Sequence, residues 1–116
     1  MNTTTIIGRL AQDPEVRFTT GGTAVATFRL AVANPTDKDK PNWIPVKALG
    51  KTAEAVGEYL TKGNQVGVTG RLESSEWDDK EGQRHWKLEV LARTVDFLNT
   101  NNKTANDTEQ REEATV

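Results

Sequence analysis

The chain has 116 residues, enough for one domain and too few for two. An apolar share of 34% with nine glycines is low for a fully packed chain, so part of it is expected to lie outside any core. Fifteen Lys and Arg against seventeen Asp and Glu give a formal charge of −2, and the absence of cysteine excludes disulfides, thiolate metal sites and a cysteine nucleophile. In chain order, Thr4 to Leu10 reads as a first strand. Gly21-Gly22 marks a hairpin turn, and Thr23 to Asn34 then sets Ala24, Ala26, Phe28, Leu30 and Val32 on one side with Thr27 and Arg29 opposite. A third strand is expected from Trp43 to Leu49. Lys51 to Lys62 changes period: Ala53, Val56 and Leu60 fall at helical spacing, and Gly63 follows as an expected C-cap.

Beyond the helix, Gln65 to Trp77 alternates again, with Val66, Val68, Gly70 and Leu72 expected inward. Asp78 to Gly82 reads as a charged hairpin loop before a fifth strand, Arg84 to Ala92. One helix inserted in a five-strand series argues against a doubly wound fold and for an all-β, five-stranded barrel with the helix closing one end. From Asn99 to Val116 the only large apolar residue is the last, and four acids accompany two bases. That composition predicts a disordered, polar, acidic tail after a domain spanning 1–98, whose thirteen bases and thirteen acids cancel.

No apolar run approaches the roughly eighteen residues of a membrane span, and Met1 to Thr5 has neither the basic nor the apolar region of a secretory signal. A cytoplasmic protein is expected. Gly50-Lys51-Thr52 sits where a phosphate-binding lysine could, but that motif needs a glycine five residues before Gly50, and Pro45 stands there without an N–H to offer. His85 has no partner at metal or triad spacing, and the carboxylates of 78–81 read as solvated loop charge. Neither catalysis, cofactor nor metal is expected.

The third strand carries the sharper signal. With Ile44, Val46 and Ala48 turned to the core, alternation sends Trp43, Pro45, Lys47 and Leu49 outward. Trp77 shares the parity of Arg71 and should leave the core as well. Exposed indoles among cations make a stacking platform for unpaired bases, about 1–3 kcal/mol for each base and indifferent to its identity. Trp86 shares the parity of Leu88 and Val90, and both a core or interface position and a stacking position stay open for it. The expected strand-contacting set is Trp43, Trp77 and Trp86 with Arg9, Arg29, Lys47, Lys51, Lys62, Arg71 and Arg84. A protein-interaction module, as in replication restart, is the alternative on such a barrel.

Several segments resemble the bacterial single-stranded DNA-binding proteins. These are Ile6 to Phe18 (IIGRLAQDPEVRF), Gly22 to Ala26, Gly50-Lys51 with Ala53-Glu54 and Val56, Tyr59-Leu60 with Lys62-Gly63, Gly70-Arg71-Leu72, Trp77 before Gly82, and Glu89-Val90. The likeness spans 3–98. It implies an oligonucleotide/oligosaccharide-binding (OB) fold, a Greek-key barrel with its helix between the third and fourth strands. It also implies wrapping of single-stranded DNA whatever its sequence, and a homotetramer or dimer formed by pairing of first strands. Trp43 and Trp77 coincide with stacking aromatics of that family, Lys51 and Lys62 with its phosphate-contacting lysines. Leu49 stands where the family usually has a large aromatic, Thr36 near another stacking position, and Glu73, Ser75 and Glu76 where basic residues often precede Trp77. Weaker or differently wrapped binding is expected from these departures. The ending Glu112-Glu113-Ala114-Thr115-Val116 lacks the family's aromatic tip, which implies an accessory, plasmid or phage form with altered recruitment of the usual tail-binding partners.

Overall fold

Apolar residues at every second position become one continuous ladder in the computed structural model, which describes residues 1–99. In chain order the elements are β1 (Thr4–Leu10), β2 (Glu15–Phe18), β3 (Ala24–Val32), β4 (Asn42–Leu49), α1 (Gly50–Tyr59), β5 (Gln65–Asp78) and β6 (Arg84–Asn99). The sheet order is β1-β5-β6-β4-β3-β2, and β1 pairs with β3 as well, so five strands close into a ring. The β4–β6 pairing is parallel, through Val46↔Val90 and Lys47↔Leu91, while the others are antiparallel. This is the five-stranded Greek-key OB barrel, with its helix between the third and fourth strands of the ring.

Closure depends on β1 bending to serve two neighbours. Its first part pairs with β5 and its last three residues with β3, and Gly8 faces Val66 on one side and Val32 on the other. A Cβ on Gly8 would stand 2.7 Å from the carbonyl oxygen of Ala31, so only glycine allows the backbones this close. Inside the ring lie Leu30, Val46, Val66, Val68 and Val90, at most 1% exposed, with Val56 of α1 beside them. Burying each such side chain contributes about 1.5–3 kcal/mol. The helix lays Ala53, Val56 and the following Leu60 into this core against β3 and β4.

Four expectations need correction. β2 has no counterpart in the strands read from the sequence; it is four residues long and forms with β3 the hairpin that Gly21-Gly22 closes, Gly22 taking φ +87°. The helix ends at Tyr59, not Lys62. Thr61 to Asn64 form a turn in which Asn64 Oδ1 accepts from the Thr61 N–H at 2.8 Å, and the Gly63 N–H is donated to Leu10 instead of capping α1. The last strand runs seven residues beyond Ala92. Leu72 is 43% exposed, because the β5–β6 ribbon outruns the barrel at that point. The expected tail lies outside the described residues from 100 onward.

Candidate nucleic-acid interface

Four neighbouring strands, β3, β4, β6 and β5, turn one set of alternate residues to solvent. β4 contributes Trp43, Pro45, Lys47 and Leu49. β5 contributes Arg71, Glu73, Ser75 and Trp77, opposite Leu91, Glu89, Lys87 and His85 of β6. Trp43 is 51% and Trp77 48% exposed, so both large rings lie open on the barrel exterior. Arg29, two residues along β3 from the partner of Trp43, places its guanidinium 5.3 Å from that ring's centroid in a cation–π contact.

Between the two indoles the face is electrically compensated. Lys47 Nζ lies 3.5 Å from a carboxylate oxygen of Glu73 and 3.5 Å from one of Glu89. Glu73 also meets Arg71 at 3.5 Å, and Lys87 approaches Glu89 at 3.7 Å. Glu89 is buried in this network, where two lysines offset the loss of its hydration. The remaining cations of the expected set lie elsewhere. Lys51 is exposed on the first turn of α1; Lys62 lies in the turn after α1, where Arg9 donates to the Gly63 carbonyl at 2.9 Å. Arg84 is engaged by Glu76 at 2.9 Å and Asp78 at 3.1 Å.

The β5–β6 ribbon has two aromatic sides. Trp77 stacks on His85, its cross-strand partner, with centroids 5.6 Å apart and planes 23° from parallel. Trp86 faces Glu76 on the opposite side and is 69% exposed, with Leu88 and Leu72 also open beside it. This exposure excludes a core position for Trp86. His85 Nε2–H donates to Asp79 at 2.8 Å, and this bond, aided by backbone N–H groups of Gln83, Glu81 and Gly82, holds the Asp79 carboxyl below the usual carboxylate range. Among the described residues, no group of three or more His, Asp and Glu is placed to hold a metal, and no helix is long and apolar enough to cross a membrane.

Residues 1–98 match the model of the single-strand binding protein family. The chain belongs to the single-strand binding protein family. Relatives include the single-stranded DNA-binding protein 3 of Clostridium acetobutylicum, 43% identical over 92% of this chain and 80% of its own length. A single-stranded DNA-binding protein of Clostridium tetani is 45% identical over 89% of this chain and 74% of its own. The single-stranded DNA-binding protein 1 of Staphylococcus aureus strain Mu50 is 41% identical over 95% of this chain and 72% of its own.

Within this member of the family, the sequence reading passed over two residues of the face. His85 gives Trp77 its stacked support, a contact that only the cross-strand register reveals. Arg93 was missed because alternation fails there. Thr69 pairs with Thr94 and Gly70 with Ala92, so a β-bulge leaves Arg93 with no residue opposite.

Proposed function

We propose that this chain binds single-stranded DNA without sequence preference and protects unpaired strands during replication, recombination or repair, as a non-enzymatic protein of the cytoplasm. The observation that carries the reading is the half-exposure of Trp43 and Trp77 on one outer face with Arg29, Lys47 and Arg71 among them. Rings stack on bases and cations take phosphates, a division of labour that needs no base-edge readout. The relatives' shared name supports the same reading. Lys51, Lys62 and Arg9 extend the contact around the barrel for a strand that wraps. Trp86 and Arg84 meet DNA only where the strand passes to the other side of the β5–β6 ribbon.

Assembly as a dimer or tetramer is part of the proposal. Thr4 to Ile7 pair with β5 on one side, while the β1–β3 ladder takes up only Gly8 to Leu10. Among the described residues the other edge of Thr4–Ile7 has no ladder partner, which leaves it open to the same segment of a second copy.

The test is a salt-titrated fluorescence titration with thymine oligomers and matched duplexes, the complexes being sized by sedimentation. Single strands should quench the indoles and duplexes should not. Trp43→Ala should weaken binding by about 1–3 kcal/mol on every sequence alike. Unchanged affinity in that variant, or equal affinity for duplex, would overturn the reading.

A further inference from the structure

Trp77 stands near the end of β5, where the β5–β6 ribbon has outrun the barrel, and 48% of it is exposed. On its side of the ribbon the neighbour along β5 is Ser75, too short to pack against an indole, with Lys87 opposite that serine. An indole left unsupported there is free to change rotamer. Its stacking neighbour is His85, directly across the ladder, with ring centroids 5.6 Å apart and planes 23° from parallel.

His85 is itself tied down. Its Nε2–H donates to Asp79 Oδ2 at 2.8 Å, while Asp79 Oδ1 accepts the backbone N–H groups of Glu81 and Gln83, both at 2.9 Å. Loop backbone, carboxylate, imidazole and indole therefore form one chain of contacts. The surroundings disfavour a phosphate at His85 itself. Asp79 already takes its Nε2–H, and Glu76 and Asp78 add two carboxylates on the other side of the ribbon end, where they hold Arg84. Lys87, on the same side as His85, is paired with Glu89.

We infer that His85 is a positioning residue for strand binding: it backs the Trp77 indole, which then offers one ring face to one base. This role rests on the single-strand reading above and adds to it a residue and a stoichiometry. Arg29 backs Trp43 in a similar way, its guanidinium 5.3 Å from that ring's centroid. A ring whose rotamer is settled before the strand arrives loses less conformational freedom on binding, and affinity is higher by the difference. The base completes a pile of imidazole, indole and nucleobase, and the contact between the first two survives binding.

The experiment measures thymine-oligomer affinity as a function of salt for the full chain, His85→Ala, His85→Phe, Trp77→Ala and the Trp77→Ala/His85→Ala double variant. His85→Ala should weaken binding about threefold to tenfold, the range for one side chain that must be ordered on binding. The slope of log K on log salt should stay as in the parent. His85→Phe keeps a flat ring to stack on the indole and should recover most of the loss. In the Trp77→Ala background the same His85→Ala change should have no effect, because no ring is left to position. Melting curves check that each variant is folded.

A merely structural role would lower affinity in both backgrounds, and a phosphate contact would flatten the slope by about 0.7. Either result, or full affinity in His85→Ala or Trp77→Ala, overturns the inference and leaves the wider function standing. Failure of the parent chain to bind would remove both. A final arm needs no substitution. The carbon-bound ring protons of His85 lie against the indole and should resonate upfield of free imidazole. They should stay there when thymine oligomer is added, while the Trp77 ring protons shift. Return of the His85 protons to ordinary positions in the complex would mean that a base displaces the imidazole, and the positioning role would fall.

Discussion

Trp77 meets the solvent with one ring face, because the other is occupied by His85 at 5.6 Å. A base stacking there would add a third layer to a pile that the Asp79–His85 hydrogen bond keeps in place. Asp79 receives that bond together with three backbone N–H groups, and its carboxyl is held below the ordinary carboxylate range. A group whose pKa falls on folding stabilises the native state above its unfolded pKa and loses that contribution as pH drops through the lowered native value. Acidification below about pH 4 should therefore loosen the ribbon tip in the parent chain, and Asp79→Asn should remove that part of the acid sensitivity. Urea midpoints from neutral to about pH 3, read by Trp77 fluorescence, check this. Identical pH profiles for the two chains would refute it. At this scale the outward aim of Trp43 was legible from parity alone, whereas Trp77 lies where the β5–β6 ribbon outruns the barrel and both of its sides meet solvent. Arg93 and the His85 support were not legible, because a bulge and a cross-strand register have no signature in one strand's own alternation.

Strands and helix follow local rules wherever the local pattern is long enough. β3, β4 and the helix start emerge from periodicity, and the charged loop before β6 is closed by Asp79 and Gln83 as its composition suggests. β2 escapes notice because four residues hold too few alternations, and its pairing with β3 comes from the hairpin that Gly22 permits. The helix stops early for a tertiary reason: Leu60 is buried, and the chain must turn at once to deliver Asn64 and β5 to β1. The same logic makes Gly8 the critical residue of β1. Gly8→Ala would drive its methyl toward the Ala31 carbonyl, which belongs to a paired strand and cannot yield cheaply. The expected cost is about 1–3 kcal/mol, or a melting-temperature drop of about 4–8 °C per kcal/mol. Gly21→Ala, where the nearest neighbour is the Thr19 hydroxyl at 3.9 Å, should melt close to the parent. Equal melting of Gly8→Ala and Gly21→Ala would mean that the barrel corner is looser than the backbone spacing implies.

Net charge alone says little about how this molecule meets a polyanion, because residues 1–98 sum to zero while their charges are not evenly spread. The fold brings Lys47 of β4 to Arg71 and Glu73 of β5, with Lys47 reaching across β6 to a carboxylate on β5. Glu73 thus lowers the positive potential at the middle of the face that we assign to DNA, between the two exposed indoles. Glu73→Gln keeps the side chain's shape, leaves Glu89 as a partner for Lys47 and removes one negative charge from the path of the phosphates. Single-strand affinity should rise by about 0.5–1 kcal/mol, the scale of a screened interaction near a surface, and the salt slope should steepen as Arg71 and Lys47 take up phosphate contacts. Glu15→Gln changes the net charge equally on the outlying β2 and should leave both quantities unchanged. The pair separates a local effect from a global one: if both substitutions strengthen binding alike, overall charge governs association, and if neither does, the strand does not cross the Lys47–Glu73 region.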